Sequence, residues 1–591
     1  MNKDNNKNLL LATTLSVIVM ISWAWFYEKP RMEKISLEQI NQLNNESANA
    51  PSKAESVPNS SQNSINNSAI NTQINNDEKQ LSLALKPRAE IIASENAERL
   101  PITGESLHGS INLRGARFDD LTLAKYFVKI DKKEEVVLFS PAQSKERYFV
   151  DFGFASSDSN IELPKSDTLW QADSKLLSPQ NPVTLTWKNS QNIEFKIKIS
   201  LDENYLFTIT QLIKNNSSQP ISIANYGRIN RSIHNINKSA YILHEGLIGT
   251  FNGILKETTY EDIIEEKNQK FADVGNAGSW LGITDKYWLS SIIPDKKISF
   301  EANFSHQYKN QTNLYNADFI GQELAVNQGE EISIEQHLFA GAKKVKILDS
   351  YNKELNLKLF DRAIDFGWFY FLTKPFFFVI EFLYKIFGNF GLAILGMTVI
   401  VKLALFPMAN KSYEAIAKMK KLQPQMEKLR ERFKDDKMAL NREMMELYKK
   451  EKINPASGCL PIIIQIPVFF ALYKVFYVTL DMRHAEFFGW IRDLSAPDPT
   501  TILNLFGLLP FEISTSFTLG IWPILMGATM IIQQRLSPPP ADPTQAKILK
   551  YMPYGLTIVL ATFPAGLVIY WTWSNALSII QQIYINKKFK K

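Results

Sequence analysis

The sequence predicts a multi-pass α-helical membrane protein, with six spans, that carries a large antiparallel β-sandwich outside the cytoplasm. Three observations lead there. Long apolar runs occupy residues 360–585, interrupted by one strongly charged block. Apolar and polar side chains alternate between Val183 and Ile209 with the period of two that half-buried strands require. Lysine and arginine concentrate in a few of the connections, and that asymmetry sets the orientation. The mean hydropathy of the whole chain is near zero only because it averages these unlike parts.

The single cysteine, Cys459, excludes an internal disulfide framework and a thiolate metal cluster. None of the six histidines (His108, His234, His244, His306, His337, His484) falls in an apolar run, so no intramembrane histidine site for a metal is expected. A net charge of +6 over 591 residues is too small to argue for nucleic acid.

Residues 1–30 hold the first span. Leu9–Tyr27 is apolar and long enough to cross a bilayer, preceded by Lys3 and Lys7 and closed by Trp23, Trp25, Phe26 and Tyr27. It ends in bulky aromatics rather than small residues, which favours an uncleaved signal anchor over a cleaved signal peptide and puts the N-terminus in the cytoplasm. Residues 31–95, rich in Asn and Ser, bury too little apolar surface to offset ordering entropy and read as a disordered polar linker. Residues 96–350 read as the β-sandwich: Ile193, Phe195, Ile197 and Ile199 alternate with Glu194, Lys196, Lys198 and Ser200, and Asn215-Asn216-Ser217-Ser218 marks a turn. Residues 351–388 read as an amphipathic helix in the membrane interface, helical from 355 to 387. Lys374, Glu381 and Lys385 share one face, the rest is apolar, and Pro375 stands where the helix could open. A tilted span is the alternative.

The membrane core follows in residues 389–591, with spans at about 389–409, 458–480, 517–535, 549–563 and 565–584. Residues 411–455 carry thirteen Lys/Arg against eight acidic residues, whereas 481–515 carry only Arg483 and Arg492. Arg535, Lys547 and Lys550 flank the next connection, and the last residues are Lys587-Lys588-Phe589-Lys590-Lys591. The positive-inside rule makes 411–455, 536–548 and this tail cytoplasmic. Both termini then lie inside and the sandwich outside. Residues 548–584 must cross twice around Phe563-Pro564-Ala565-Gly566, so at least one of those helices is short for an average bilayer. Local thinning is one consequence; cover by neighbouring helices is the other.

Polar residues within the spans are the candidate site. Lys402 lies roughly 20 Å from the outer end at Asn389, in the inner half of the membrane. A lysine there costs about 2.5–3.5 kcal/mol on the insertion scale. It either snorkels to the cytoplasmic surface or enters a polar cavity in which Thr398, one turn back on the same face, is a second wall. Lys411 is about 13 Å further on, more than a lysine comfortably spans. Gln465 stands between Pro461 and Pro467, which free backbone carbonyls. It reads as a helix–helix hydrogen bond or as cavity lining. Asn575, Gln581 and Gln582 are further candidates in the last span, the two glutamines also fitting an interfacial position, and Lys474 is placed to snorkel outward.

The charged block 411–455 reads as a helical hairpin. Met419, Leu422, Met426, Leu429 and Phe433 recur at helical spacing before Asp435-Asp436, and Leu440, Met444 and Leu447 after it. The seam zips two antiparallel helices, and its methionines also suit adaptable contact with a partner or substrate. The spans hold no paired carboxylates and the chain no Gly-rich phosphate loop, no His-Glu-x-x-His and no serine–lysine pair at one depth, so neither enzyme chemistry nor a cofactor is expected.

Several long stretches resemble the bacterial YidC-type membrane protein insertases of the YidC/Oxa family. They include Gly115-Ala116-Arg117-Phe118-Asp119-Asp120-Leu121, Glu245-Gly246-Leu247-Ile248-Gly249-Thr250 and Trp280-Leu281-Gly282-Ile283-Thr284-Asp285-Lys286-Tyr287-Trp288. In the membrane part Gly388-Asn389-Phe390-Gly391, Asn454-Pro455-Ala456-Ser457-Gly458-Cys459-Leu460-Pro461, Gln465-Ile466-Pro467-Val468-Phe469, Phe563-Pro564-Ala565-Gly566-Leu567 and Ser574-Asn575 match as well. The resemblance covers about residues 100–588. It implies a periplasmic super-sandwich and a five-helix insertase core in the inner membrane of a Gram-negative bacterium, with a hydrophilic groove open to cytoplasm and lipid. It implies that Lys402 takes the place of the groove's basic residue, arginine in many relatives, with Thr398 and Gln465 on other lining positions. Lysine keeps the charge but loses the bidentate fork. The hairpin corresponds to the family's mobile cytoplasmic loop, and the stretch 502–517 is an insertion of no assigned role.

The expected function is insertion, folding and assembly of membrane proteins, alone or with the Sec translocon. The expected partners are nascent membrane proteins and membrane lipids, with the Sec translocon and the ribosome or signal recognition pathway implied by resemblance. The alternative is a solute or ion transporter using Lys402 as a coupling charge, which predicts inverted repeats that the sequence does not display.

Overall fold

Strand alternation and the sheets it builds come first in the chain. The structure, a computed structural model, describes residues 86–590 apart from 96–97, 235–242, 276–277, 310–311, 434–435, 452–459, 508–518 and 538–542. The expected signal anchor over 9–27, most of the linker and Cys459 lie outside the described residues.

Two antiparallel sheets fill residues 99–342. The larger runs, edge to edge, Arg99–Thr103, Leu107–Asn112, Arg117–Phe127, Tyr148–Ala155, Ile221–Ile233, Thr312–Gly321, Phe300–Lys309 and Asn268–Asp273. Glu135–Phe139 pairs beside Arg117–Phe127, and Leu324–Val326 beside Ile221–Ile233. The smaller runs Ile254–Thr259, Gly246–Phe251, Trp280–Thr284, Trp288–Ile293, Glu331–Ala342, Leu206–Asn215, Ile193–Leu201, Val183–Lys188 and Gln171–Ala172. The alternation visible in the sequence decides what is buried. Ile193, Phe195, Ile197 and Ile199 are all in the core, and the residues between them are not. Phe195 meets Phe154 of the larger sheet at 4.9 Å between ring centroids, and Phe207 meets Phe118 at 5.3 Å. These aromatic pairs hold the layers together.

The opposite face of the larger sheet carries buried charge. Arg228 donates through Nε and Nη2 to the two oxygens of Asp151, at 3.1 and 2.6 Å, across a register pair. Asp318 is paired in register with Arg228 on the other side, and burial pushes its carboxyl up to about 7.

Ten helices flank or follow the sheets among the described residues: α1 Arg88–Ser94, α2 Asp262–Glu266, α3 Val345–Glu354, α4 Tyr370–Phe387, α5 Phe390–Arg432, α6 Lys437–Lys450, α7 Leu460–Val478, α8 Ile521–Leu536, α9 Pro543–Leu560 and α10 Ala565–Lys590. Three boundaries differ from the sequence reading. The linker expected to reach residue 95 stops earlier: α1 buries Ile91, and Arg88 pairs with Asp120. The helix expected over 355–387 begins only at Tyr370. Leu359 and Gly367, with φ of 57° and 70°, interrupt it, and an α-helix does not continue through that region. Pro375 accordingly lies inside α4 rather than opening it. The span at 389–409 and the first arm of the hairpin are one continuous helix of 43 residues, α5, about 65 Å long. Polarity changes between Met408 and Lys411, and the helix continues through both that change and Pro407 just before it.

Caps agree with the local sequence. Asn389 accepts from the Leu392 amide at the start of α5, and Asp436 from the Met438 and Ala439 amides at the start of α6. Among the described residues α5 is the one helix long and apolar enough to cross a membrane by itself. Gln465–Val478 in α7 is a shorter apolar stretch. The other expected spans, at 517–535, 549–563 and 565–584, coincide with helices α8, α9 and α10 that are shorter or more polar. Of the stretch 502–517, Ile502–Gly507 forms a 3-10 turn.

Candidate functional site

Helix α10 organises the polar residues of the membrane part. Tyr570, Ser574, Ser578 and Gln581 recur at spacings of four, four and three, which places them on one face. Lys402 of α5 donates from Nζ to Ser578 Oγ at 2.8 Å, and Ser578 in turn donates to the Ser574 carbonyl at 2.9 Å. Gln465 of α7 donates to the buried Tyr570 hydroxyl. Gln581 donates to Asn410 Oδ1 at 2.7 Å.

A second stripe on α10 faces α8 instead. Asn575 donates to Thr529 Oγ1 at 3.1 Å, and Gln582 to Ser537 Oγ at 3.3 Å. Thr398 is buried and donates to the Ile394 carbonyl of its own helix at 2.7 Å. Of the four residues expected to line one groove, Lys402 and Gln465 thus meet the same face of α10. Asn575 pairs with a different helix, and the Thr398 hydroxyl is satisfied locally.

The Lys402 ammonium ends on α10, among polar side chains of the helix bundle. One sequence expectation changes with it. A serine–lysine pair does occur at one depth, because residues 176 apart in the chain meet across two helices. In that pair lysine is the donor and the serine proton is directed to a backbone carbonyl. This is a tether for a cation rather than an activated nucleophile. The missed residues are Tyr570, Ser574 and Ser578, and their period of four was available in the sequence.

Magnitudes show how far such a tether offsets the cost of the charge. The insertion penalty of about 2.5–3.5 kcal/mol is matched by about 1.5–3 kcal/mol for a hydrogen bond to a charged group. The hydroxyl holds the ammonium without neutralising it.

At the hairpin, Met419, Leu422, Met426 and Met444 are buried, and Leu429 and Phe433 half-buried. The Tyr448 hydroxyl reaches Met426 Sδ at 3.8 Å. The seam therefore packs α5 against α6, while Met438 and Met445 point outward.

At its other end α7 is tied to the sandwich. Lys474, expected to snorkel, pairs with Asp365 at 2.7 Å. The Lys286 ammonium sits 3.6 Å from the centre of the Tyr477 ring, and burial pulls its pKa down to about 8. Lys343 is buried beneath, donating to Thr284 Oγ1 at 2.9 Å and the Ala363 carbonyl at 3.1 Å, and burial brings it to about 8. Helix α4 is fixed through the face read from sequence. Lys374 bonds Asp349 and Asp361 at 2.7 and 2.8 Å, and Glu381 pairs with Lys346. Burial alone would lower the Lys374 pKa, but its hydrogen bonds outweigh it and the pKa lies above the ordinary lysine value.

Comparison with known proteins agrees over both regions. Residues 99–379 match the family model described as the YidC periplasmic domain, and residues 382–591 that described as 60Kd inner membrane protein. The protein named membrane protein insertase YidC from Rickettsia felis is 48% identical over 587 residues, covering 99% of each chain. That from Rickettsia canadensis is also 48% identical, with the same coverage. A solved structure of an active YidC insertase with its first transmembrane domain resolved is 16% identical, covering 82% of this chain and 92% of that one at a TM-score of 0.34.

Proposed function

The chain belongs to the YidC family of membrane protein insertases, and we propose that it inserts membrane proteins by receiving their polar segments on the face of α10 that carries Lys402. It is an inner-membrane protein with a periplasmic domain, and its substrates are nascent membrane proteins. The observation that carries the reading is the ammonium of Lys402 held by a single side-chain hydroxyl at 2.8 Å, with the Gln465–Tyr570 pair on the same face.

In this reading the acidic tail or loop of an incoming protein exchanges with Ser578 for the Lys402 ammonium, in surroundings of low dielectric where the attraction is strong. The apolar span of the substrate then partitions into lipid, and hydrophobic transfer drives the step. Six spans, with both termini and the 411–455 hairpin in the cytoplasm, follow from the charge asymmetry. The outward methionines Met438 and Met445 and the basic faces of the hairpin suit contact with the ribosome or signal recognition pathway. Cooperation with the Sec translocon belongs to the same reading. No cofactor enters it.

The test is insertion of a small, acidic-tailed, single-span substrate into vesicles containing the purified protein. Lys402→Ala should lower insertion by tenfold or so, the effect of about 1.4 kcal/mol, and Lys402→Arg should retain it. Undiminished insertion by Lys402→Ala at equal protein content sinks the proposal.

A further inference from the structure

We propose that the tip of the hairpin joining Arg117–Phe127 to Glu135–Phe139, residues 128–134, is a lipid anchor that rests in the headgroup region of the outer leaflet. The proposal rests on the outward placement of the sandwich argued above.

The tip presents apolar side chains where a soluble hairpin would be polar. Val128 is 44% exposed and Ile130 42% exposed, on a turn closed by the Val128 amide donating to the Glu134 carbonyl at 2.8 Å. Its position is fixed by the residues that follow α7. Arg483 donates from Nη2 to the Val128 carbonyl at 3.1 Å, and its guanidinium lies 5.7 Å from the Trp288 ring. Trp288 in turn meets Tyr126, at the base of the tip, at 5.3 Å. Arg483 stands five residues beyond Val478, the last residue of α7, so the tip is held level with the outer end of a membrane helix. The same connection exposes Phe488, at 59%. Apolar and aromatic groups at one level, with a guanidinium between them, are the composition of a membrane interface.

Lys129, Lys132 and Lys133 surround the apolar pair and reach phosphate oxygens by extending their stems. Asp131, Glu134 and Glu135 balance them, so the segment 129–135 has no net charge. The anchor therefore works through apolar burial and hydrogen bonding, and a zwitterionic surface suffices. A soluble partner would require instead that Val128 and Ile130 be open to water in the vesicle-bound protein.

The experiment uses the full chain with Cys459→Ser, reconstituted into phosphatidylcholine vesicles, carrying an environment-sensitive fluorophore at one cysteine: Ile130→Cys, Phe488→Cys or Val274→Cys. Val274 is 79% exposed, and the ladder register puts it at the other end of the larger sheet. The expected result is a blue-shifted Ile130 probe that loses at least half its emission to a shallow nitroxide lipid and is shielded from aqueous iodide, with the reverse at Val274. An Ile130 probe open to iodide beside a lipid-exposed Phe488 probe overturns the proposal and leaves the orientation standing. Iodide access at both overturns the orientation and the proposal together. Shielding of Ile130 from both quenchers means a protein contact, and also overturns it.

Discussion

Lys402 Nζ and Ser578 Oγ stand 2.8 Å apart and join α5 to α10 in the middle of an otherwise apolar stretch of α5. In the proposed function the pair gives the charge a resting place that a substrate carboxylate takes over. The two residues should differ in consequence. Lys402→Ala removes the charge and should cut insertion of acidic-tailed substrates about tenfold. Ser578→Ala removes only the tether and should change insertion by no more than about threefold. Abolished insertion in Ser578→Ala, with folding intact, would mean that the hydroxyl does chemistry and the tether is the wrong description.

Gln465 and Tyr570 form the second polar contact on that face, between α7 and α10. Tyr570→Phe leaves the glutamine amide without its partner, whereas Gln465→Leu with Tyr570→Phe leaves neither group. Thermal unfolding in detergent should show a double-mutant coupling of about 1 kcal/mol. A coupling of zero would place the two side chains apart in solution.

Helix α7 is fastened by Lys474 and Asp365 to the segment that links the sandwich to α4. Asp365→Asn and Lys474→Met should each weaken the joint by about 1.5–3 kcal/mol. The readout is faster proteolytic cutting between residues 355 and 369, with little change in the cutting of either domain. The double variant should cost less than the sum of the two. Additive costs would mean that the pair is not formed.

Asp318 gives a pH dependence of uncommon sign. Burial raises its folded pKa to about 7, above the ordinary carboxylate value of 3.8. Between those values the folded chain binds the extra proton, so the contribution of this group is fully present below the unfolded pKa and is lost as pH rises toward 7. Each unit of difference is worth roughly 1.4 kcal/mol. Asp318→Asn should flatten the fall in melting temperature between about pH 4 and pH 7 and match or exceed the parent above that window. A variant that is less stable than the parent at high pH would show the carboxylate to be favourable when charged.

Gly391 tests how tightly the connection after α7 seats on α5. A Cβ there would overlap Phe487 Cδ2, so the ring rests directly on the backbone. Gly391→Ala should destabilise the protein by about 1–3 kcal/mol, and Phe487→Ala in the same chain should relieve the clash. An Ala variant of unchanged stability would mean that the ring does not pack there.

The sequence carried most of the fold because its signals were local. The alternation at Ile193–Ile199 specified both a strand and its buried face, and the polar face read at Lys374, Glu381 and Lys385 is the one from which Lys374 and Glu381 pair with residues outside α4. Element boundaries failed where conformation and polarity part company. Leu359 and Gly367 break a helix inside an apolar aromatic run, and α5 continues through the change from apolar to basic residues without a break. The site was half legible. A lysine in an apolar span announces itself by its cost. Its partner does not, since the serines of α10 are ordinary helix residues until Lys402, 176 positions away in sequence, arrives beside one of them. The buried pair Arg228–Asp151 was hidden for the same reason: Asp151 is a single polar residue in an aromatic strand, and its partner is 77 residues distant.

The most direct test of the account is site-specific photocrosslinking from α10 during insertion, with the crosslinker introduced at Ser574 or Ser578 and a ribosome-bound substrate of defined length. The account predicts adducts to the acidic polar segment from these positions, weakened when Lys402 is replaced by alanine, and none from Ile580 on the far face of the same helix. Equal adducts from Ile580, or adducts indifferent to Lys402, would contradict it.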